Sequence, residues 1–534
     1  MIMENIDLKN ILSNYKNVFL GSKRYWALYL LFITVCCFSI VSGKNLHHPK
    51  FELIAFIAVA VLGILCILYY LSHNSDNELH KVAFVIILTF GIVCCLIVPM
   101  VNHIDEMEHF TRSEITSEGV IAPDWIGDEH GIDRLYNHTT GERSKEFNHG
   151  VGFNTIGSMK FFEKAREKTV FETTHDTDKI NQSTYIRGSA FEQNPFYGYL
   201  PQAIGIFIAK LLDLNVVWML WLARLANLIC YAGIVSFAIK KTPCLKMPLI
   251  AIACIPVTLY HASSTSIDAL IFALGILAIA YFLYLHESAE SSLENKHIII
   301  YSIICLLLGL CKLPYLAFIF LLLFIPQNRF KTKNYKILIL LSIIAVGLCG
   351  VLWSKYSTPA LMHSWRSSYN YVNSTQQLQY LTNNPSDIFK FLYHTVTGGL
   401  SNILPELFNY DYRNAASFET YSFIMSALVV FLAIVLFAYP QKTKFDKKTR
   451  IGSLIVFIII YVGTFFVQLL TWANVGDMEV GVHMRYFIPL LALIPIIVQL
   501  NFNKINAEKF DKYMMVFIIG FMATLILAIA FRFY

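Results

Sequence analysis

"VAFVIILTFGIVCCLIVPMVNHIDEMEHFTR" (82–112) joins an apolar run to a short segment carrying Asp105, Glu106, Glu108, His109 and Arg112. The hydrocarbon core of a bilayer is about 30 Å thick and an α-helix rises about 1.5 Å per residue, so 82–101 reads as a membrane span. The charges after it have two readings. They mark the exit of a span, or they form a reaction centre at the membrane surface.

Outward from this stretch the same pattern recurs. Apolar runs fall at 24–42, 51–71, 216–239, 247–262, 266–285, 336–353, 421–439, 451–471, 486–500 and 513–532. A further pair, 298–311 and 314–326, is split at "CKLPY" by Lys312 and Pro314. The chain therefore has thirteen spans if it re-crosses there and twelve if one long helix kinks. Hydrophobic residues make up 56% of the 534 and charged residues 15%, with mean hydropathy +0.55, which excludes a soluble globular protein. The expected fold class is all-α, a polytopic transmembrane helical bundle of 12–13 spans. Lys23-Arg24 precede the first span and no small-residue cleavage site follows it, so it reads as an uncleaved span rather than a signal peptide. Ten of the eleven cysteines lie in apolar runs and Cys244 stands alone in a basic loop, so no pair can staple a polar loop.

Lys and Arg concentrate in "KKTPCLK" (240–246), "QNRFKTKNYK" (327–336), "PQKTKFDKKTR" (440–450) and "NFNKINAEKFDK" (501–512). Cytoplasmic loops hold such an excess, which with thirteen spans puts the N-terminus inside and segments 102–197 and 354–420 outside. The first of these contains 17 of the 36 acidic residues. The chain divides into N-terminal spans (1–101), a first extracytoplasmic loop with the acidic motif and an interfacial helix (102–215), central spans (216–353), a second extracytoplasmic loop (354–420) and C-terminal spans (421–534). "FYGYLPQAIGIFIAKLLDL" (196–214) is apolar but interrupted by Pro201, Lys210 and Asp213, and is expected to lie on the membrane as an amphipathic helix. Sequons stand at Asn137, Asn181 and Asn373.

In a helix continuing through "HIDEMEHFTR", Asp105, His109 and Arg112 share a face, with Glu106 turned about 100° away. A carboxylate there can deprotonate an incoming hydroxyl, a neighbouring cation keeping it ionised. An acidic first turn stabilised by the helix dipole is the ordinary alternative. His103, Asp105, Glu106 and His109 are also metal-ligand types, without a recognised spacing such as HExxH. Lys312, Arg485 and Asp268 stand at outer span ends, where Arg and Lys suit a lipid phosphate or simply snorkel to headgroups. Arg224 lies within a span, where an unpaired charge costs at least about 2.5–3.5 kcal/mol.

"DEMEHFTRSEITSEGV" (105–120), "NPFYGYLPQAIG" (194–205), "ARLANL" (223–228), "PVTLYHASSTSIDAL" (256–270), "CKLPYL" (311–316) and "RYFIPLL" (485–491) occur in an order that resembles a bacterial family of polytopic membrane proteins of formerly unknown function, DUF2142, grouped with the GT-C glycosyltransferases. The resemblance spans roughly residues 100–495. It implies large extracytoplasmic loops with membrane-parallel helices and an inverting transfer of sugar from a polyprenyl-phosphate donor. By carry-over Asp105 becomes the leading candidate base and Glu106 the second. Arg485, Lys312 and Arg224 become candidates for the donor phosphate, with His109, Arg112, Asp268, His483 and Tyr486 supporting them. The chain departs from the family pattern in reading His103-Ile104 for a pair of prolines and His483-Met484 for Gln-Gly.

The resulting expectation is a multi-pass glycosyltransferase of the bacterial cytoplasmic (inner) membrane with its active site on the extracytoplasmic side. Its expected partners are a polyprenyl-phosphate-linked sugar donor, a glycan or lipid-linked glycan acceptor such as O-antigen or wall polysaccharide, and membrane lipid, with no nucleic acid. No cofactor is implied, and the sequence leaves a divalent metal open. A polysaccharide polymerase or ligase is the alternative enzyme, and a transporter or flippase of lipid-linked sugars the alternative outside enzymes. Charges gathered in loops, and no evident repeat, speak against transport.

Overall fold

The computed structural model describes residues 19–42, 49–122, 191, 193–363, 372–406, 422–441, 443–500 and 506–534, with short pieces between 152 and 186. Asn137, Asn181 and most of the acidic residues of the first loop lie outside the described residues. In chain order run α1 (Lys23–Val41), α2 (Pro49–Ser72), α3 (Leu79–Ile97), α4 (Glu106–Ser117), α5 (Leu200–Leu211), α6 (Val216–Lys241), α7 (Lys246–Ala253), α8 (Pro256–Ala262) and α9 (Asp268–His286). There follow α10 (Asn295–Cys311), a 3-10 helix Leu313–Phe324, α11 (Tyr335–His363), α12 (Ser374–Asn383), α13 (Asp387–Glu406), α14 (Ser422–Phe437), α15 (Lys447–Trp472), α16 (Ile488–Leu491), α17 (Ile494–Ile497) and α18 (Ala507–Phe533). Among the described residues eight helices are long and apolar enough to cross a membrane, and three shorter apolar ones accompany them. Strand is confined there to a two-residue antiparallel pairing of Gly152–Phe153 with Tyr185–Ile186. The chain is an all-α polytopic membrane protein.

Cross-links fix how the helices run. Ser236 Oγ donates to the His80 carbonyl (2.8 Å) and Arg224 Nη1 to that of Cys95 (2.9 Å), so α3 and α6 are antiparallel. Tyr301 Oη donates to the Phe318 carbonyl (2.9 Å), and Gly309 faces Leu316 too closely for any side chain. The run split at Lys312 therefore folds back on itself as a hairpin and is not one kinked helix. One end of the bundle gathers the ends of α3, α10 and α15 and the starts of α6 and α9. We call it the site end; Lys240, Lys241, Lys246 and Lys447 lie at the other.

Three sequence expectations change. The run 247–262 is not one helix: Pro256 lacks the N–H a continuous helix needs, so the chain breaks between α7 and α8. The carbonyls freed there are taken by hydroxyls. Tyr231 Oη reaches Ala253 (2.7 Å), and Thr258 Oγ1 reaches Ile255 (2.7 Å) and Ala253 (3.0 Å), as a non-polar interior requires. The run 486–500 is likewise broken, into a 3-10 turn Met484–Phe487 and the single turns α16 and α17, each with a proline in its first positions. Finally, α5 does not lie across the bundle end. Gly205 sits directly on the backbone of Leu222, Gly198 meets Ile267, and a four-residue link joins α5 to α6, so α5 is the short arm of an antiparallel hairpin. Gln202, Ala203, Ile206 and Ala209 face inward, while Ile204, Phe207 and Leu211 are exposed.

In the second loop Asn373 caps α12, its side chain accepting from the Gln376 N–H (3.0 Å). All eleven cysteines are free.

Candidate functional site

Two buried arginines organise the site end. The first, Arg224, lies eight residues into α6, about 12 Å along its axis. Its Nε and Nη2 grip the Glu106 carboxylate at 2.7 and 2.6 Å in a planar fork. Its Nη1 donates to the carbonyls of Cys95 and Val98 (both 2.9 Å) and Nη2 to that of Pro99 (3.2 Å). All five donors of the guanidinium are filled, by the end of α3, the turn after it and the start of α4. This corrects two sequence expectations. Arg224 has no donor left for a lipid phosphate, and Glu106 is committed to a buried ion pair, so neither is placed to serve as phosphate ligand or base.

The second, Arg485, opens the broken segment and donates from Nε to Asp268 Oδ2 (2.9 Å), both side chains being buried. His261 Nδ1 stands 3.8 Å from the same oxygen. The Lys312 ammonium lies over the ring of Tyr486, and Arg485 flanks that ring at 5.0 Å. His483 meets Tyr486 edge-on (5.8 Å). Asp268 lies within electrostatic reach of Lys312 and His109 as well as Arg485. Four stretches far apart in sequence, around 109, 261–268, 312 and 483–486, thus converge. Arg485 and Lys312 are not snorkelling from span ends: Phe487 packs on Tyr461 (4.7 Å) and Phe465 (5.8 Å), 7–11 residues short of the end of α15. At about 1.5 Å per residue the cluster is recessed by about 10–16 Å.

Asp105 stands within electrostatic reach of this cluster. It takes a left-handed conformation (φ 54°, ψ 22°) immediately before α4, and its carboxylate makes no cap hydrogen bond. Asp tolerates this region better than most residues, and the turn leaves its side chain exposed, where an ordinary N-cap aspartate would be tied to the helix. Its charge is felt at both His109 and Arg485.

His109 is fixed from two sides. Asn194 Nδ2 donates to Tyr199 Oη (3.0 Å), and that hydroxyl is hydrogen-bonded to His109 Nδ1 (2.9 Å). On its other side the imidazole is hydrogen-bonded through Nε2 to Ser266 Oγ (3.3 Å), which also accepts from the Asp268 N–H (3.1 Å). Burial holds the His109 pKa down to about 4 against the raising effect of Asp105 and Asp268. This chain ties "NPFYGYLP" to the first turn of α9. Arg112 is fully buried, donating to Thr116 Oγ1 (2.8 Å) and the Ile121 carbonyl (3.2 Å) beside the Tyr199 ring (5.7 Å). It anchors the loop and lies away from the recess.

The four residues weighed as metal ligands are split among different tasks, Glu106 on Arg224 and His109 on Tyr199 and Ser266. Among the described residues no group of three or more His, Cys, Asp or Glu is placed to hold a metal ion. His103 turns inward instead, its ring 4.2 Å from that of Tyr260, and burial beside Arg224 pushes its pKa well below the ordinary range. Both ring nitrogens of His103, both of His261, and Asn102 Oδ1 are buried without a hydrogen-bond partner among the described residues. Each such atom costs about 1–3 kcal/mol when left unpaired.

The sequence reading missed Tyr199, Asn194, Ser266 and His261 as site residues. All four lie in the quoted blocks, but Tyr199 and Ser266 are revealed only by contacts with His109 90 and 157 positions away, and Asn194 and His261 only by the neighbours they touch, Tyr199 and Asp268.

The fold and site define a class: a polytopic helical membrane protein with a recessed, charge-bearing centre at one end. The family model described as "Predicted membrane protein (DUF2142)" matches residues 88–494, and the chain belongs to that family. No curated protein and no solved structure matches it.

Proposed function

We propose that the chain is a membrane glycosyltransferase that moves a sugar from a polyprenyl-phosphate-linked donor to a cell-envelope glycan acceptor. The reaction takes place on the extracytoplasmic face of the bacterial inner membrane. The observation that carries this reading is an uncapped, exposed Asp105 within electrostatic reach of Arg485, which converges with Lys312 on the Tyr486 ring. Asp105 takes the proton of the acceptor hydroxyl, whose oxygen attacks the anomeric carbon while the bond from that carbon to the phosphate oxygen breaks on the opposite face. Arg485 and Lys312 offset the charge gathering on the departing phosphate, preorganised by Asp268 and the Tyr486 ring. The Lys- and Arg-rich loops at the far end support the sidedness.

The test uses purified protein in nanodiscs with a panel of polyprenyl-phosphate monosaccharides and an acceptor extract, following released polyprenyl phosphate with and without EDTA. Wild-type protein is expected to release it from at least one donor, and folded Asp105→Asn to lose about 100-fold or more. Full transfer by Asp105→Asn removes Asp105 from the scheme, and no release from any donor contradicts the reading.

A further inference from the structure

His103 and His261 are 2% and 1% exposed, and their four ring nitrogens find no hydrogen-bond partner among the described residues. They belong to one small neighbourhood. The His103 ring packs on Tyr260, the residue before His261, and Tyr260 Oη reaches back to the Asn102 carbonyl (3.4 Å). Asn102 adds a third unpartnered group through Oδ1. This neighbourhood abuts the recess, with His261 Nδ1 3.8 Å from Asp268 Oδ2 and His103 two residues before Asp105.

The chemistry of these groups selects their ligand. A neutral imidazole offers one donor and one acceptor, and an amide oxygen one further acceptor site. Arg224 stands beside His103 and Arg485 beside His261, so a cation would be repelled. Both guanidiniums already face carboxylates, which leaves little to attract an anion to this side. What fits is an uncharged group that donates and accepts, and in the glycosyl-transfer reading the sugar attached to a phosphate held by Arg485 and Lys312 is such a group beside this neighbourhood. We infer that His103, His261 and Asn102 form a subsite for hydroxyl groups, those of the sugar carried by the donor. This rests on the glycosyl-transfer reading and deepens it by naming the residues that read the sugar.

The test is equilibrium binding of undecaprenyl phosphate, bare and carrying a single glucose, galactose or N-acetylglucosamine, to the full chain in nanodiscs. Wild-type protein is compared with His103→Phe, His261→Phe and the milder His261→Gln, and variants are scored only if they melt as wild type does. At least one sugar is expected to strengthen wild-type binding over the bare lipid. Both phenylalanine variants are expected to lose about fivefold or more of that increment, and His103→Phe, which touches neither Arg485 nor Asp268, is expected to do so with the bare-lipid Kd unchanged. An increment that survives both phenylalanine variants, or bare-lipid binding that no sugar strengthens, overturns the subsite, the nitrogens then holding only water. Failure of wild-type protein to bind the bare lipid overturns the glycosyl-transfer reading itself and the subsite with it.

Discussion

Glu106–Arg224 and Asp268–Arg485 are both buried arginine–carboxylate pairs at the site end, and they differ in what surrounds them. Arg224 spends all five donors on Glu106 and three backbone carbonyls, so the pair staples α6 to the turn between α3 and α4. Arg485 meets Asp268 through Nε, with His261 Nδ1 3.8 Å from the same oxygen, and stands beside Lys312 within electrostatic reach of the exposed Asp105. The same two residue types therefore do different work. A saturated guanidinium holds the fold, and one gathered with a second cation in a recess is placed to meet a ligand.

The contrast breaks most visibly at Arg224. Arg224→Ala leaves Glu106 charged and unpaired in the interior and is expected to cost about 3–5 kcal/mol, read as a collapse of the thermal melt in detergent. Replacing both partners, as Glu106→Gln with Arg224→Met, is expected to recover part of that loss. A smaller effect comes from pH. His109 titrates at about 4 when folded against an ordinary 6.5, so between these values the unfolded chain binds the extra proton and stability falls as pH falls. His103 is lowered too and acts with the same sign. The wild-type melting temperature should drop from pH 6.5 to 4, with His109 contributing ~3 kcal/mol, and His109→Gln should flatten that slope. Tyr199→Phe removes the phenol hydrogen-bonded to His109 Nδ1. It is expected to cost about 1–2 kcal/mol and to raise the His109 pKa, measured by histidine 15N shifts with His109→Gln for assignment. The smallest effect is Tyr231→Phe, about 1 kcal/mol, from the loss of one hydrogen bond at the α7–α8 break.

Much of the fold was legible because long apolar runs have few alternatives to spanning a membrane. Helices α1, α2, α3, α6, α9, α15 and α18 sit close to the runs read for them. Runs 247–262 and 486–500 failed for a reason written in them: Pro256, Pro489 and Pro495 were present, but average hydropathy does not register a missing N–H. The short arm α5 misled because the glycine that brings it against Leu222 carries no hydropathy signal. At the site, the cost of an intramembrane charge marked Arg224 as important, but its partner lies 118 positions earlier and spacing cannot join them. Asp105, Lys312, Asp268 and Arg485 were each visible as charges beside apolar runs. His261 was hidden because a histidine between Tyr260 and a serine-rich turn reads as ordinary packing until its nitrogens are found without partners.

The most direct test of the contrast is a matched pair, Arg224→Lys and Arg485→Lys, each measured for folded yield and for release of polyprenyl phosphate from the active donor. Lysine keeps the charge but loses the planar fork. The expected result is that Arg224→Lys loses the fold, while Arg485→Lys folds as wild type and loses about 100-fold in release. Equal loss of fold in both variants, or full release by a folded Arg485→Lys, would contradict the division of the two pairs into a staple and a site.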